Sequence, residues 1–102
     1  MSVTYHFREQ EATILVHGHF NFAQHAAFRD ASKAVLSLPD IKSIEINPMD
    51  ADYLDSSALG MLLVLREQAG DRGINRILIS NSKTGIRQIF AVARFEKFFD
   101  ID

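Results

Sequence analysis

The residues best placed to do chemistry lie together in Asp55-Ser56-Ser57-Ala58-Leu59-Gly60-Met61-Leu62-Leu63. An acid and two hydroxyls followed by small residues and an apolar run make a helix start. The first backbone N–H groups of a helix lack internal partners, and the helix dipole adds partial positive charge there. Asp55 or Ser56 can therefore serve as the N-cap. The same N–H groups would stabilise a phosphate carried on the hydroxyl. Ser56 is thus read in two ways, as a cap and as a modifiable hydroxyl. Asp55 can order the turn, or the Ser56 hydroxyl, through a local hydrogen bond.

Three other groupings invite a chemical reading. Asp50, Asp52 and Asp55 could offer oxygen ligands to a divalent cation. No EF-hand spacing of Gly and Glu follows, so a solvated acidic loop is expected. His17, His19 and His25 could supply imidazoles to zinc. Gly18 interrupts the first two, and no carboxylate stands by to orient the rings, so ordinary polar or half-buried histidines are expected. Ser80-Asn81-Ser82-Lys83-Thr84-Gly85 contains both S-x-x-K and K-T-G strings, overlapping at Lys83. In serine acyl enzymes these lie on separate elements, so the overlap reads as chance and Ser82 as a helix cap. No nucleophile has a paired base and no Gly-rich loop cradles phosphate. The expectation is a binding protein without metal or cofactor rather than an enzyme.

These residues need elements to position them. Val3, Tyr5 and Phe7 alternate with polar neighbours, and Thr13 to His17 reads as a second strand ending at Gly18, with Glu9-Gln10-Glu11 turning the hairpin between them. Phe28, Ala31, Val35 and Leu38 mark a helix stopped by Pro39. Ile41, Ile44 and Ile46 mark a third strand, which Asn47-Pro48-Met49-Asp50 turns away. A second helix runs from the Asp55-Ser56 cap to about Gly70. Ile74 and Ile77-Leu78-Ile79 form a fourth strand, and Ile86, Ile89, Phe90 and Ala93 a third helix. The tail, Phe95 to Ile101, can make a short helix, an edge strand or both, with its phenylalanines closing the core. The fold class is α/β: a small mixed sheet of four or five strands with helices packed mainly on one face.

The second helix carries a further signal. Ala58, Leu59, Leu62, Leu65 and Ala69 cover the side that packs on the sheet. Met61 and Val64 fall away from it, near Gly60 and Ser57, and are expected to be an exposed apolar docking surface.

Composition sets the bounds. At 102 residues the chain is read as one domain, 1–102, and with 47% hydrophobic residues it can fill a core. A net charge of −2 with scattered Lys and Arg gives no basic stripe for nucleic acid. Cysteine is absent, excluding disulfides and thiolate metal sites. Met1 to His6 lacks a signal-peptide pattern, and the longest apolar run, Met61 to Leu65, is too short to span a bilayer. A cytoplasmic protein without membrane insertion is expected.

The Asp55 to Leu63 segment resembles the signature of STAS-domain anti-sigma-factor antagonists: Asp, Ser, a second hydroxyl, a small residue, Leu, Gly, then an apolar helix. Ala58 stands where many members have Gly. The resemblance extends over the chain, from a hairpin ending near Gly18 to the aromatic tail Phe95-Glu96-Lys97-Phe98-Phe99. Phe20 to His25 with Phe28-Arg29 is most similar to a proteobacterial branch of single-domain regulators. Asn21 stands where many members have Asp. The resemblance implies a STAS fold, phosphorylation at Ser56, and a partner face built from Asn21, Asp55, Ser56, Ser57, Gly60, Met61 and Val64. It implies as partners a serine kinase or anti-sigma factor with a histidine-kinase-like ATP-binding domain, in sigma-factor, biofilm or motility control, and a metal-dependent serine phosphatase. STAS-like proteins also serve as structural subunits of lipid-transport ABC assemblies, which is the alternative reading.

Overall fold

The alternation of apolar and polar residues in the first third of the chain is realised as a tight antiparallel hairpin. In the computed structural model, which describes residues 3–102, β1 (Val3–Arg8) pairs with β2 (Glu11–Phe20), Arg8 standing opposite Glu11 across a two-residue turn. Glu9 takes a positive φ there, as the turn requires. Met1 and Ser2, the start of the segment read for a leader, lie outside the described residues. After the hairpin come a 3₁₀ turn at Phe22–Gln24, α1 (His25–Leu36), β3 (Ser43–Leu54), α2 (Ser56–Asp71), β4 (Ile77–Ile79), α3 (Thr84–Val92), a second 3₁₀ turn at Phe95–Lys97 and β5 (Asp100–Ile101).

The five strands lie in sequence order, with β2 to β5 all parallel and β1 the antiparallel edge. Parallel neighbours need crossovers, and crossovers are right-handed. Because each successive strand is added on the same side of the last, equal handedness sends α1, α2 and α3 to one face. Burial agrees: Ala12, Ile14 and Val16, Ile44 and Ile46, and Ile77 and Ile79 are buried, while the alternating Thr13, Leu15, Glu45 and Leu78 are only half-buried. The core between sheet and helices contains Phe20, Phe28, Val35, Leu62, Leu65, Ile86 and Phe90. Phe95 stacks on Phe90 and Phe99 and closes this core at the tail. The tail makes both a 3₁₀ turn and an edge strand.

Three boundaries differ from the sequence reading. β2 does not end at Gly18 but continues to Phe20. Gly18 has a φ of +71°, a conformation that costs a residue without Cβ nothing, and the register with β3 shifts immediately after it. Nor does Asn47-Pro48-Met49-Asp50 turn the chain away; β3 runs straight through it to Leu54. Leu15 pairs with Asn47 and His17 with Asp50, so Val16 alone faces both Pro48 and Met49. That bulge relieves Pro48 of a ladder donor it does not have, and Asn47 Oδ1 accepts from the Met49 N–H at 3.1 Å. Ile74 is buried but stands outside β4, which is only Ile77–Ile79.

The bulges also decide which side chains face outward. They reset the alternation at the end of β3, so that Asp50, Asp52 and Tyr53 face outward while Ala51 and Leu54 are buried. Asp55 is delivered at the carboxyl end of the sheet. Right-handed crossovers start every helix at that end, so Asn21, Asp55-Ser56 and Lys83-Thr84 all lie there.

The core position of Leu62, fully buried, gives a stability test. Leu62→Ala should lower unfolding free energy by about 2–5 kcal/mol in urea titration, whereas Val64→Ala, at an exposed position of the same helix, should change it by less than about 0.5 kcal/mol.

Candidate functional site

β3 hands the chain to α2 through a single residue. Asp55 has extended backbone (φ −110°, ψ −179°) and is the N-cap of α2, its Oδ1 accepting from the Ala58 N–H at 3.0 Å. The same oxygen accepts the Ser57 hydroxyl at 2.6 Å. The Asp55 N–H donates to the Phe20 carbonyl at 3.3 Å, tying the start of α2 to the end of β2. The Asp55 carboxyl is held below its ordinary value of 3.8, first by the hydrogen bond from Ser57, then by the N–H groups of Ala58, Phe22 and Ser57. Phe22 opens the 3₁₀ turn whose own cap is Asn21, with Oδ1 accepting from the Ala23 N–H at 3.0 Å. Asn21 and Asp55 thus organise adjacent turns.

The two serines are not equivalent. Asp55, not Ser56, caps the helix, so the cap leaves the Ser56 hydroxyl uncommitted. Ser56 is the first residue of α2, is exposed, and makes no side-chain hydrogen bond among the described residues. Ser57 is half-buried and donates to Asp55. A modifying group can approach Ser56 and finds the start of a helix beside it; at Ser57 it would have to break the Asp55 bond first.

Val64 is 53% exposed, as the sequence reading expected, and Gly60 is also exposed. Met61 is not: it is 7% exposed and belongs to the core. The sheet is not the only packing partner of α2. α1 lies against α2 on the same face of the sheet, so a second side of α2 is covered. Between the two helices runs a groove of about 350 Å³. Phe22, His25, Arg29 and Ser32 line it from the α1 side, and Ser57, Gly60, Met61, Val64 and Gln68 from α2. Phe22 and His25 stack at its mouth with ring centroids 5.5 Å apart. The α1 side of this groove was missed in the sequence. Its signal was present, because positions 22, 25, 29 and 32 recur at spacings of three and four beside the core stripe.

The remaining candidates are dispersed. Asp50, Asp52 and Asp55 do not share a loop. Asp50 accepts from His17 Nδ1 at 3.2 Å, and Asp52 is ion-paired with Lys83, whose hydrogen bond and charge hold its carboxyl below 3.8. His19 packs on the Tyr53 ring, at 5.7 Å between centroids. Among the described residues no group of three or more His, Asp or Glu stands where it could hold a metal ion. Ser82 is not a cap: Lys83 occupies the N-cap position of α3, and the buried Ser82 Oγ has no hydrogen-bond partner among the described residues. No helix of the described chain is long and apolar enough to cross a membrane.

A family model described as Mlab, STAS domain, matches residues 3–100. A STAS-domain containing protein of Pseudomonas aeruginosa is 42% identical over 92 residues, covering 90% of this chain and 88% of the relative. Two solved structures share the fold. An anti-sigma factor antagonist from Mycobacterium paratuberculosis has a TM-score of 0.83 at 16% identity, covering 97% of this chain and 82% of the other. The anti-sigma factor antagonist SpoIIAA in its unphosphorylated form has a TM-score of 0.75 at 14% identity, covering 98% of this chain and 86% of the other.

Asp55 provides an acid-stability test with a defined sign. Its folded-state pKa is depressed, so its contribution is complete above the unfolded value and is lost as pH falls through the folded one. Asp55→Ala should lower the thermal midpoint at pH 7 more than Ser56→Ala does. The gap between Asp55→Ala and wild type should shrink as pH drops below 3.8, measured by thermal scans across that range.

Proposed function

Because this chain belongs to the STAS domain family, we propose that it is a phosphorylation-controlled binding protein, docking a regulatory partner when Ser56 is unmodified. The observation that carries this reading is the division of labour at the α2 start. Asp55 takes over the capping and Ser57 braces it, leaving the Ser56 hydroxyl exposed beside an exposed glycine and an apolar groove. A hydroxyl needed only as a cap would be the one bonded to Ala58.

The switch works by charge and desolvation. Phosphate would add about −1.5 to −2 charge at neutral pH. The α2 N-terminus tolerates it locally, so the fold survives. A partner seated on Gly60 and Val64, however, would have to bury or oppose that charge, close to the carboxylates of Asp52 and Asp55. The docked state loses stability while the free state does not. This role requires no turnover and no bound metal or cofactor on the chain itself.

The proposed partners are a serine kinase or anti-sigma factor with a histidine-kinase-like ATP-binding domain and a metal-dependent serine phosphatase. They would act on the protein in the cytoplasm, in sigma-factor, biofilm or motility control. The proposed contact set is Asn21, Asp55, Ser56, Ser57, Gly60 and Val64. Met61 enters only from below, as the wall of the groove. Asn21 contributes by shaping the neighbouring turn and brings no charge to the surface.

The cognate kinase with ATP should add one phosphate, located at Ser56 by peptide mapping; phosphate on Ser57 would refute the residue assignment. In titrations against the partner, Ser56→Ala should retain wild-type affinity. Ser56→Asp and Val64→Asp should each weaken it by tenfold or more, on the order of the 1.4 kcal/mol that a tenfold change represents. Lys42→Asp, at the opposite end of the sheet, should bind normally. Arg72 is a poor control, because its guanidinium donates to the Leu36 carbonyl and ties α1 to α2. Equal affinity of Ser56→Ala and Ser56→Asp, with normal binding by Val64→Asp, would favour the structural-subunit reading instead.

A further inference from the structure

We propose that a second copy of this chain extends the sheet at β1. The two β1 strands run antiparallel about a two-fold axis, with Tyr5 of each copy against Phe7 of the other. The observation that carries this is the contrast between the two sheet edges. β5 is blunted: it has two residues and follows closely on a 3₁₀ turn. β1 has six residues and keeps an unbroken register with β2 from Val3 to Arg8. It stands last in the sheet, so its outer backbone groups have no ladder partner among the described residues. Short length, bulges, proline and lysine are the usual guards of an edge against strand addition. β1 has none of them.

The side chains choose a like strand. Tyr5 and Phe7 stand opposite Ile14 and Ala12, so they point to the helix side, where both of those residues are buried. Yet Tyr5 is 44% and Phe7 55% exposed, at a margin the helix layer leaves open. Directly opposite residues of an antiparallel pair share a face and can pack on one another. Centred on His6, a two-fold pair sets Tyr5 against Phe7 twice, Arg8 against Thr4 twice, and His6 against His6. Centred on Tyr5, it would set Phe7 against Val3, which is already buried. Centred on Phe7, it would run Tyr5 into Glu9, which turns the hairpin at positive φ. Only the His6-centred register covers all four rings with one another. An unrelated strand would need its own aromatic pair at this spacing, whereas a second copy supplies it by symmetry.

The area sets the strength. Fully covered aromatic side chains bury about 150–250 Å² each, so four half-exposed rings contribute roughly 400 Å². That is about a third of a small specific interface, with the two strand edges and their flanks adding to it. The result is a weak dimer that forms at high concentration. β1 runs against β2 to β5, so an antiparallel β1 pair sends the carboxyl ends of the two sheets in opposite directions. The two Ser56 faces then lie at opposite ends of the dimer, away from the seam. Self-association neither needs nor blocks the switch.

Sedimentation equilibrium from about 10 μM to about 1 mM, the range for an interface of this size, should show the average mass rising from one chain toward two. Tyr5→Lys and Phe7→Lys, both at exposed positions, should stay folded by circular dichroism. Each removes two ring pairs from the dimer and should weaken it about tenfold. Val92→Lys, at a more exposed apolar position on α3, should dimerise as wild type does. The chain has no cysteine, so single introduced cysteines report the register. His6→Cys should oxidise to a disulfide-linked dimer, because opposed Cα atoms are within disulfide reach. Thr4→Cys should not link to itself but should link to Arg8→Cys when the two variants are mixed. A wild-type chain that stays monomeric at the highest concentration overturns the proposal. So does a dimer broken by Val92→Lys but untouched by Tyr5→Lys and Phe7→Lys. Cross-linking of Thr4→Cys alone, with none of His6→Cys, overturns it as well.

Discussion

Asp55 Oδ1 accepts both the Ala58 N–H and the Ser57 hydroxyl, and its own N–H reaches the Phe20 carbonyl. One residue therefore joins the end of β2, the end of β3 and the start of α2. Everything proposed for this face depends on that junction. It fixes where α2 begins, and so where Ser56 stands and how Gly60 and Val64 are presented. It also takes over the capping that a serine would otherwise do. Remove the carboxylate and Ser56 or Ser57 becomes the best remaining cap, drawing a hydroxyl into the helix start.

The sheet topology explains why chemistry collects at this end. With strands added in order and crossovers of one hand, every helix begins at the carboxyl edge of the parallel strands. The two bulges in β3 supply the fine adjustment. They let Pro48 lie in a strand interior and turn Asp52 outward to meet Lys83, which fastens the α3 start to the same edge. The backbone irregularity at Gly18 and Pro48 is thus spent on the strand that leads into the site.

α1 and α2 sharing one face has a second effect. Two helices side by side cover one another's flanks but cannot fill the seam wherever small or polar residues meet. Ser32 on α1 and Gly60 on α2 are such residues, and the groove lies between them. The groove is thus a packing shortfall at a helix pair whose remaining contacts, through Phe28, Met61 and Leu65, are well buried.

Much of this protein was determined by the order of its residues. Period-two alternation, the Phe28 stripe and the Asp55-Ser56-Ser57 cap cluster specify strand, helix and helix start through local physics, since each depends on neighbours a few positions away. The α/β class, the one-sided helix layer and the position of Ser56 were legible for that reason. The irregular strand was not. A proline and a glycine normally stop a strand, and only pairing along the length of both strands, with the extra residues of β3 taken up in bulges, lets β2 and β3 run on. Nor was the fate of Met61 legible, because its burial is decided by α1, which is distant in sequence and invisible to a wheel drawn for one helix. The division between Asp55 as cap and Ser56 as exposed hydroxyl was likewise open until the backbone angle at Asp55 was fixed. Local chemistry thus named the candidate residues, and long-range packing decided which of them are exposed.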